Sequence, residues 1–276
     1  MSVREAIEAG TLPDRVWIYS NYHCNLECAY CLTESSPRSR RRSLDAVSMI
    51  AVAHEAAELG FREIGVTGGE PFLRRDLAAT IAAMAAILPV TVLTNATQFS
   101  GDRIAMTDPL VGLPVRLQIS LDAPDPEPND ELRGPDNFAK VVDAVPRLVE
   151  RGLRVRIATT VEPGRLSETD HRRLCELHRT WGIDDDDHLV RPVLREGRAD
   201  ATGMGARFER DQLPPELAVA EHGAFWSAFG PTIRGDVADT HLLITRTILP
   251  LATPASALLR LVEGRPQGAD ANIGIR

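Results

Sequence analysis

The sequence predicts an α/β fold: a partial (β/α)6 TIM-like barrel over residues 16–195, with a short C-terminal appendage. Three observations predict it. Short apolar and β-branched runs alternate with amphipathic helical patterns, which implies right-handed βαβ units and a parallel sheet. Polar or glycine-rich turns follow several of the strand runs, at the end where barrels of this kind build their sites. The chain has 276 residues and is 43% hydrophobic, enough to bury a sizeable core.

Residues 1–15 are a lead-in, with a helical run over 3–8 and a turn at Pro13-Asp14. The first strand covers residues 16–19, and a cysteine-rich loop leaves its carboxyl end. An arginine-rich loop, 35–42, leads to a helix with Ser43 as its N-cap, apolar positions from Leu44 to Leu59, and Gly60 as its stop. Residues 64–67 and 76–88 form the second strand and helix; 90–94 and 100–106 form the third pair. The fourth strand, 115–121, runs into a proline-rich loop at 124–128 and a helix over 137–151 that contains Pro146. Strand 155–161, helix 167–181 and strand 189–194 complete the series. Residues 196–215, rich in Gly, Arg and Pro, read as a linker. Residues 216–276 read as a C-terminal cap with a helix over 217–229, a strand-like run over 242–249 and a helix over 254–263.

A net charge of -8 argues against a broad nucleic-acid or membrane-binding surface and favours small molecules or peptides as partners. No apolar run reaches bilayer-spanning length and no signal pattern opens the chain, so a cytoplasmic setting is expected. Clustered cysteines in such a setting favour metal or redox chemistry over disulfides. Cys175 reads as a small buried hydrophobe, and the acidic run 184–187 as a solvated turn.

Three of the four cysteines, Cys24, Cys28 and Cys31, fall within eight residues. A loop that short brings three thiolates to one small object, and three sulfurs leave a [4Fe-4S] cluster with one iron lacking a protein thiolate. Thr67-Gly68-Gly69-Glu70-Pro71 follows the second strand at the same end: the glycines permit close backbone approach, and Glu70 offers an acceptor suited to an ammonium group. The fourth strand places Gln118, Ser120 and Asp122 on one face. Asn95 ends the third strand, either at the mouth of the barrel or as a turn former, and Asp122 has the equal alternative of capping its own loop. Arg191, within the sixth strand, needs an anionic partner.

These motifs, in this order and with Tyr30 before the third cysteine, resemble radical S-adenosylmethionine (SAM) enzymes. Residues 129–134 are similar to a segment of the branch that includes the pyrroloquinoline-quinone and molybdenum-cofactor biosynthesis enzymes. The resemblance implies that Cys24, Cys28 and Cys31 hold a [4Fe-4S] cluster whose open iron binds SAM. It also implies that Gly68, Gly69 and Glu70 hold the SAM amino group, that Ser120 and Asp122 meet its ribose and carboxylate, and that Asn95 lines the mouth. Arg133 is either a carboxylate clamp or a surface ion pair; Arg191 binds the SAM carboxylate, the substrate or a carboxylate of the protein. No catalytic side chain is assigned.

The implied activity is reductive cleavage of SAM to a 5'-deoxyadenosyl radical that abstracts hydrogen from a small molecule, in natural-product or cofactor biosynthesis. Two alternatives stand beside it. One is a peptide-modifying enzyme with a separate leader-binding partner; the other is a non-catalytic module in which His23 joins the cysteines around zinc. The arginine-rich loop reads either as solvated or as a dock for flavodoxin or ferredoxin as electron donor. The C-terminal segment, which lacks cysteines, reads as a degenerate form of the auxiliary-cluster extension of some relatives.

Overall fold

A computed structural model describes residues 1–264 except 163, 165, 210, 211, 235 and 236. Helix α1 (Val3–Glu8) precedes β1 (Arg15–Asn21), α2 (Ala46–Leu59), β2 (Glu63–Gly68), α3 (Leu77–Ala85) and β3 (Val90–Thr94). Next come β4 (Val115–Ser120), α4 (Pro126–Arg133), α5 (Asn137–Glu150), β5 (Arg154–Val161), α6 (Glu168–Thr180) and β6 (His188–Pro192). The remainder holds α7 (Arg198–Thr202), β7 (Ala218–Ala220), β8 (Gly223–Phe225), β9 (Ile233–Arg234), β10 (Val237–Ala238), β11 (Leu243–Thr245) and α8 (Ala252–Glu263). Strands β1 to β6 lie side by side in chain order and parallel, as the βα alternation predicts.

The first strand is buried on both faces. Val16 and Ile18 of β1 alternate with Trp17 and Tyr19, and all four are nearly inaccessible to solvent. Trp17 sits opposite Gly65 of β2 in the register, and a Cβ at Gly65 would lie 2.3 Å from the indole. Glycine there is what lets the large ring stay in the barrel.

Several local readings need correction. Asp45, not Ser43, caps α2: its carboxylate accepts from Ser48 N at 2.8 Å, while Ser43 bridges to Asn21. The proline-rich stretch after β4 opens α4, because proline is tolerated in the first turn of a helix. Residues 101–110 form 3-10 turns in place of an α-helix. The helix expected over 217–229 is the hairpin β7–β8. Its β7 pairs in parallel with β1, and β8 pairs antiparallel with β7 and β11. The C-terminal segment therefore extends the barrel sheet on its β1 side. Trp17 Nε1 donates to Glu216 at 3.0 Å and Tyr19 OH donates to the Ala228 carbonyl at 2.5 Å, so the first strand anchors that segment. Residues 196–215, expected as a linker, include α7, which packs on the cysteine loop. Among the described residues, no helix is long and apolar enough to cross a membrane.

Candidate active site

The carboxyl ends of β1 to β6 surround a cavity of about 220 Å³. Cys24, Cys28 and Cys31 line it together with Gly68 and Gly69. Asn95, Ser120, Arg133 and Arg191 bring polar groups from β3, β4, α4 and β6. Much of the remaining wall is apolar: Trp17, Tyr19, Leu93, Ala228 and Phe229.

The cysteine loop is stitched to the turn after β2. Gly69 N donates to Asn21 O at 2.9 Å, Glu70 N donates to His23 O at 3.0 Å, and Asn21 Nδ2 donates to His23 O and Glu70 O at 2.8 and 3.1 Å. The fit is tight, since a Cβ on Gly69 would lie 2.3 Å from His23 O. From the other side Asn95 Nδ2 approaches Cys24 Sγ at 3.7 Å and donates to Asn25 at 3.2 Å. Arg198 was not foreseen in the sequence, yet its guanidinium donates to the carbonyls of Cys28 and Ser35 and its backbone N–H to Cys31 O. It lies in a Gly- and Arg-rich run whose composition carries no positional signal.

Two residues expected to hold SAM through their side chains face away from the cavity. The carboxylate of Glu70 is fully buried and accepts from Phe72 N at 3.0 Å, Thr94 Oγ1 at 2.8 Å and Asn95 N at 2.7 Å. Burial still raises its pKa despite these donors. It braces the ends of β2 and β3, and only the backbone of this turn reaches the cavity. Asp122 accepts from Thr160 N at 2.8 Å through Oδ1, and from Tyr30 OH and Arg133 Nη1 through Oδ2. Arg133, which also lines the cavity, forms a buried ion pair with Asp122 and donates to Tyr30 OH. Tyr30 thereby ties the cysteine loop to β4 and α4. Burial keeps its phenol neutral, with a pKa raised well above the usual tyrosine value.

Arg191 differs from Arg133. Its guanidinium has no hydrogen bond or ion pair to a described residue, and burial lowers its pKa. It is a half-buried cation on the cavity wall, with Asp122 acting on it only from a distance.

The donor set fits an iron–sulfur cluster with one open iron. All three cysteines are free thiols facing one cavity, and burial pushes up the pKa of Cys24, with nearby Glu70 adding to it, and that of Cys28. Thiols held this way ionise as a metal centre binds, because its positive charge offsets the burial. His23 is not among the residues lining that cavity, and its Nδ1 faces the Ser39 carbonyl at 3.4 Å.

Fold and site together define a barrel enzyme of the radical SAM type, and comparison with known proteins agrees. The Radical SAM superfamily model matches residues 18–175, more than half of the chain. The chain belongs to the radical SAM superfamily, in the molybdenum-cofactor branch. It is 30% identical over 246 residues to the GTP 3',8-cyclase of Chlorobaculum tepidum, covering 83% of this chain and 71% of that one. To the GTP 3',8-cyclase of Edwardsiella ictaluri it is 30% identical over 148 residues, 51% of this chain and 44% of the relative, so this match spans less than half of the relative's length. Among solved structures it resembles Streptococcus suis SuiB bound to S-adenosylmethionine, with TM-score 0.60, 19% identity, and coverage of 75% of this chain and 47% of SuiB. It also resembles anSMEcpe with bound AdoMet, with TM-score 0.63, 11% identity, and coverage of 90% and 83%. At these identities the structural likeness concerns the fold. The family and its SAM-bound structures imply a [4Fe-4S] cluster and SAM as cofactors.

Proposed function

We propose that this chain removes a hydrogen atom from a small anionic molecule in cofactor or natural-product biosynthesis, with Arg191 holding the negative charge of that molecule. Cys24, Cys28 and Cys31 would hold the cluster, and the backbone at Gly68 and Gly69, together with Ser120, lies where SAM would sit. Bound there, the cluster and SAM supply reductive cleavage of a SAM carbon–sulfur bond and a radical able to take the hydrogen. The chain orients and shields. Trp17, Tyr19, Leu93 and Phe229 exclude water from the cavity, which matters because water competes for reactive intermediates.

The observation that carries this reading is the contrast between two arginines. Arg133 is neutralised by Asp122, whereas Arg191 faces the cavity with no anionic partner among the described residues. A half-buried cation on a cavity wall, with no ion pair of its own, is suited to an anion from the ligand. The curated relatives are named for GTP, whose triphosphate brings several negative charges. One such cation suits a single carboxylate or phosphate better.

Arg191→Ala tests it. The variant should bind SAM as the wild type does and release 5'-deoxyadenosine under dithionite. A panel of small carboxylates and phosphate monoesters should then no longer change the rate of that release, as some members do for wild type. Loss of SAM binding in the variant would assign the guanidinium to the SAM carboxylate instead.

Arg40 and Arg41 lie exposed on the loop that leaves the cysteines, placing positive charge beside the site on an acidic protein. This supports an acidic electron donor such as flavodoxin or ferredoxin, steered by local charge. Replacing both with Ser should slow reduction by flavodoxin about 10-fold and leave reduction by dithionite intact; equal slowing of both contradicts the dock.

A further inference from the structure

At the opposite end of β6 from the cavity, a second group of ligating side chains comes together. His171 and Cys175 stand four residues apart on α6 and so share one helix face. His188 opens β6 across from them, on the outermost strand of the sheet. His171 Nε2 lies 3.9 Å from Cys175 Sγ, His188 Nδ1 lies 3.7 Å from the same sulfur, and all three ligand atoms fall within 4.8 Å of one another. A thiolate and an imidazole bound to one tetrahedral zinc, at the usual bond lengths, stand about 3.6 Å apart. The two sulfur–nitrogen distances are therefore already close to those of a zinc shell.

Two imidazole nitrogens point at one sulfur, which as a thiol is only a weak donor and a weak acceptor and as a thiolate is a strong metal ligand. The proton of His188 is also placed for ligation. Thr159 Oγ1 donates its only proton to Leu121 O at 2.7 Å, so in its 2.9 Å contact with His188 Nε2 the imidazole must be the donor. Nε2 then carries the hydrogen and Nδ1 presents a lone pair to the sulfur side, the way an outer hydrogen bond orients a metal-ligating histidine.

A third histidine packs beside the group. His178, three residues beyond Cys175 on α6, is 1% exposed, and neither ring nitrogen has a hydrogen-bond partner among the described residues. Its ring centre lies 4.6 Å from that of His188. Buried imidazoles are ordinarily satisfied, and this one packs edge-on against His188 without joining the three clustered ligand atoms.

We propose that His171, Cys175 and His188 form a zinc site, with His178 packed beside it, that ties α6 to the outermost barrel strand. On binding, the Cys175 S–H bond breaks, a Zn–S bond forms and the proton leaves to solvent. No electron is transferred. None of the four side chains lines the cavity, so the site is structural and separate from the cluster.

The test uses the anaerobically reconstituted, cluster-loaded chain. After incubation with zinc and removal of excess, elemental analysis should find one zinc per chain beyond the cluster iron. Cobalt(II) in its place should give a thiolate-to-cobalt charge-transfer band that Cys175→Ala abolishes. His171 is exposed, so His171→Ala spares the fold; it should weaken zinc binding about 100-fold with iron unchanged, and Thr159→Val about 10-fold. The proposal is overturned if wild type binds zinc no more tightly than a His171→Ala/Cys175→Ala double variant. It is equally overturned if zinc survives in that variant and leaves only when Cys24 is replaced.

Discussion

Arg133 and Asp122 form a buried ion pair, 3.2 Å from Nη1 to Oδ2, with side chains 7% and 0% exposed, and Tyr30 of the cysteine loop is hydrogen-bonded to both. The pair joins the end of α4 to the end of β4 and leaves the loop little freedom to shift. Removing one partner strands the other's charge in a site that water does not reach, which costs about 3–5 kcal/mol. Arg133→Met should lose that much stability in denaturant unfolding. Adding Asp122→Leu should recover most of it, because the stranded charge goes too. Equal destabilisation by the single and double variants would show that the two groups are not coupled.

Gly69 gives a second prediction. A methyl group there meets the His23 carbonyl at 2.3 Å, and neither backbone segment can move without disturbing the hydrogen bonds between Asn21, His23 and Glu70. Gly69→Ala should cost about 1–3 kcal/mol and retain less iron than wild type after identical reconstitution. Full iron content with unchanged SAM affinity would show that the loop has slack.

His222 makes stability depend on pH. Its ring lies between Tyr22 and Phe225, with centres 5.8 and 5.1 Å away, and neither nitrogen is hydrogen-bonded among the described residues. Burial lowers its pKa, with Arg42 and Arg246 acting in the same direction. The unfolded chain protonates this residue near its ordinary value of about 6.5, whereas the folded chain resists until lower pH. In that window the unfolded state holds more protons, so stability falls as pH falls. His222→Phe removes the effect. Its stability advantage over wild type, measured by thermal unfolding, should widen as pH drops below about 6.5; a gap independent of pH contradicts the assignment.

Much of this was legible in the sequence, for physical reasons. Cys24, Cys28 and Cys31 are close in sequence, so proximity in space follows from chain length alone, and a strand-end glycine pair such as Gly68-Gly69 signals close backbone approach whatever surrounds it. Arg198 clamps Cys28 and Ser35 from 170 and 163 residues away, a contact set by folding and by no local pattern. Residue type alone points Glu70 and Asp122 at the ligand, but the neighbouring strand ends supply donors that turn their carboxylates inward. The segment after residue 216 has helix-forming composition and still pairs as strands. Gly223, at φ +147°, approaches Thr245 so closely that a Cβ would lie 2.4 Å from its carbonyl oxygen, and pairing with β1 and β11 overrides local propensity.

The three-cysteine cavity is tested most directly by anaerobic reconstitution of the purified chain, followed by an iron count and then addition of SAM and dithionite. About four irons per chain and release of 5'-deoxyadenosine are expected, both lost in Cys24→Ala. Tight zinc in the cysteine loop, with no iron bound and no 5'-deoxyadenosine released, would contradict it.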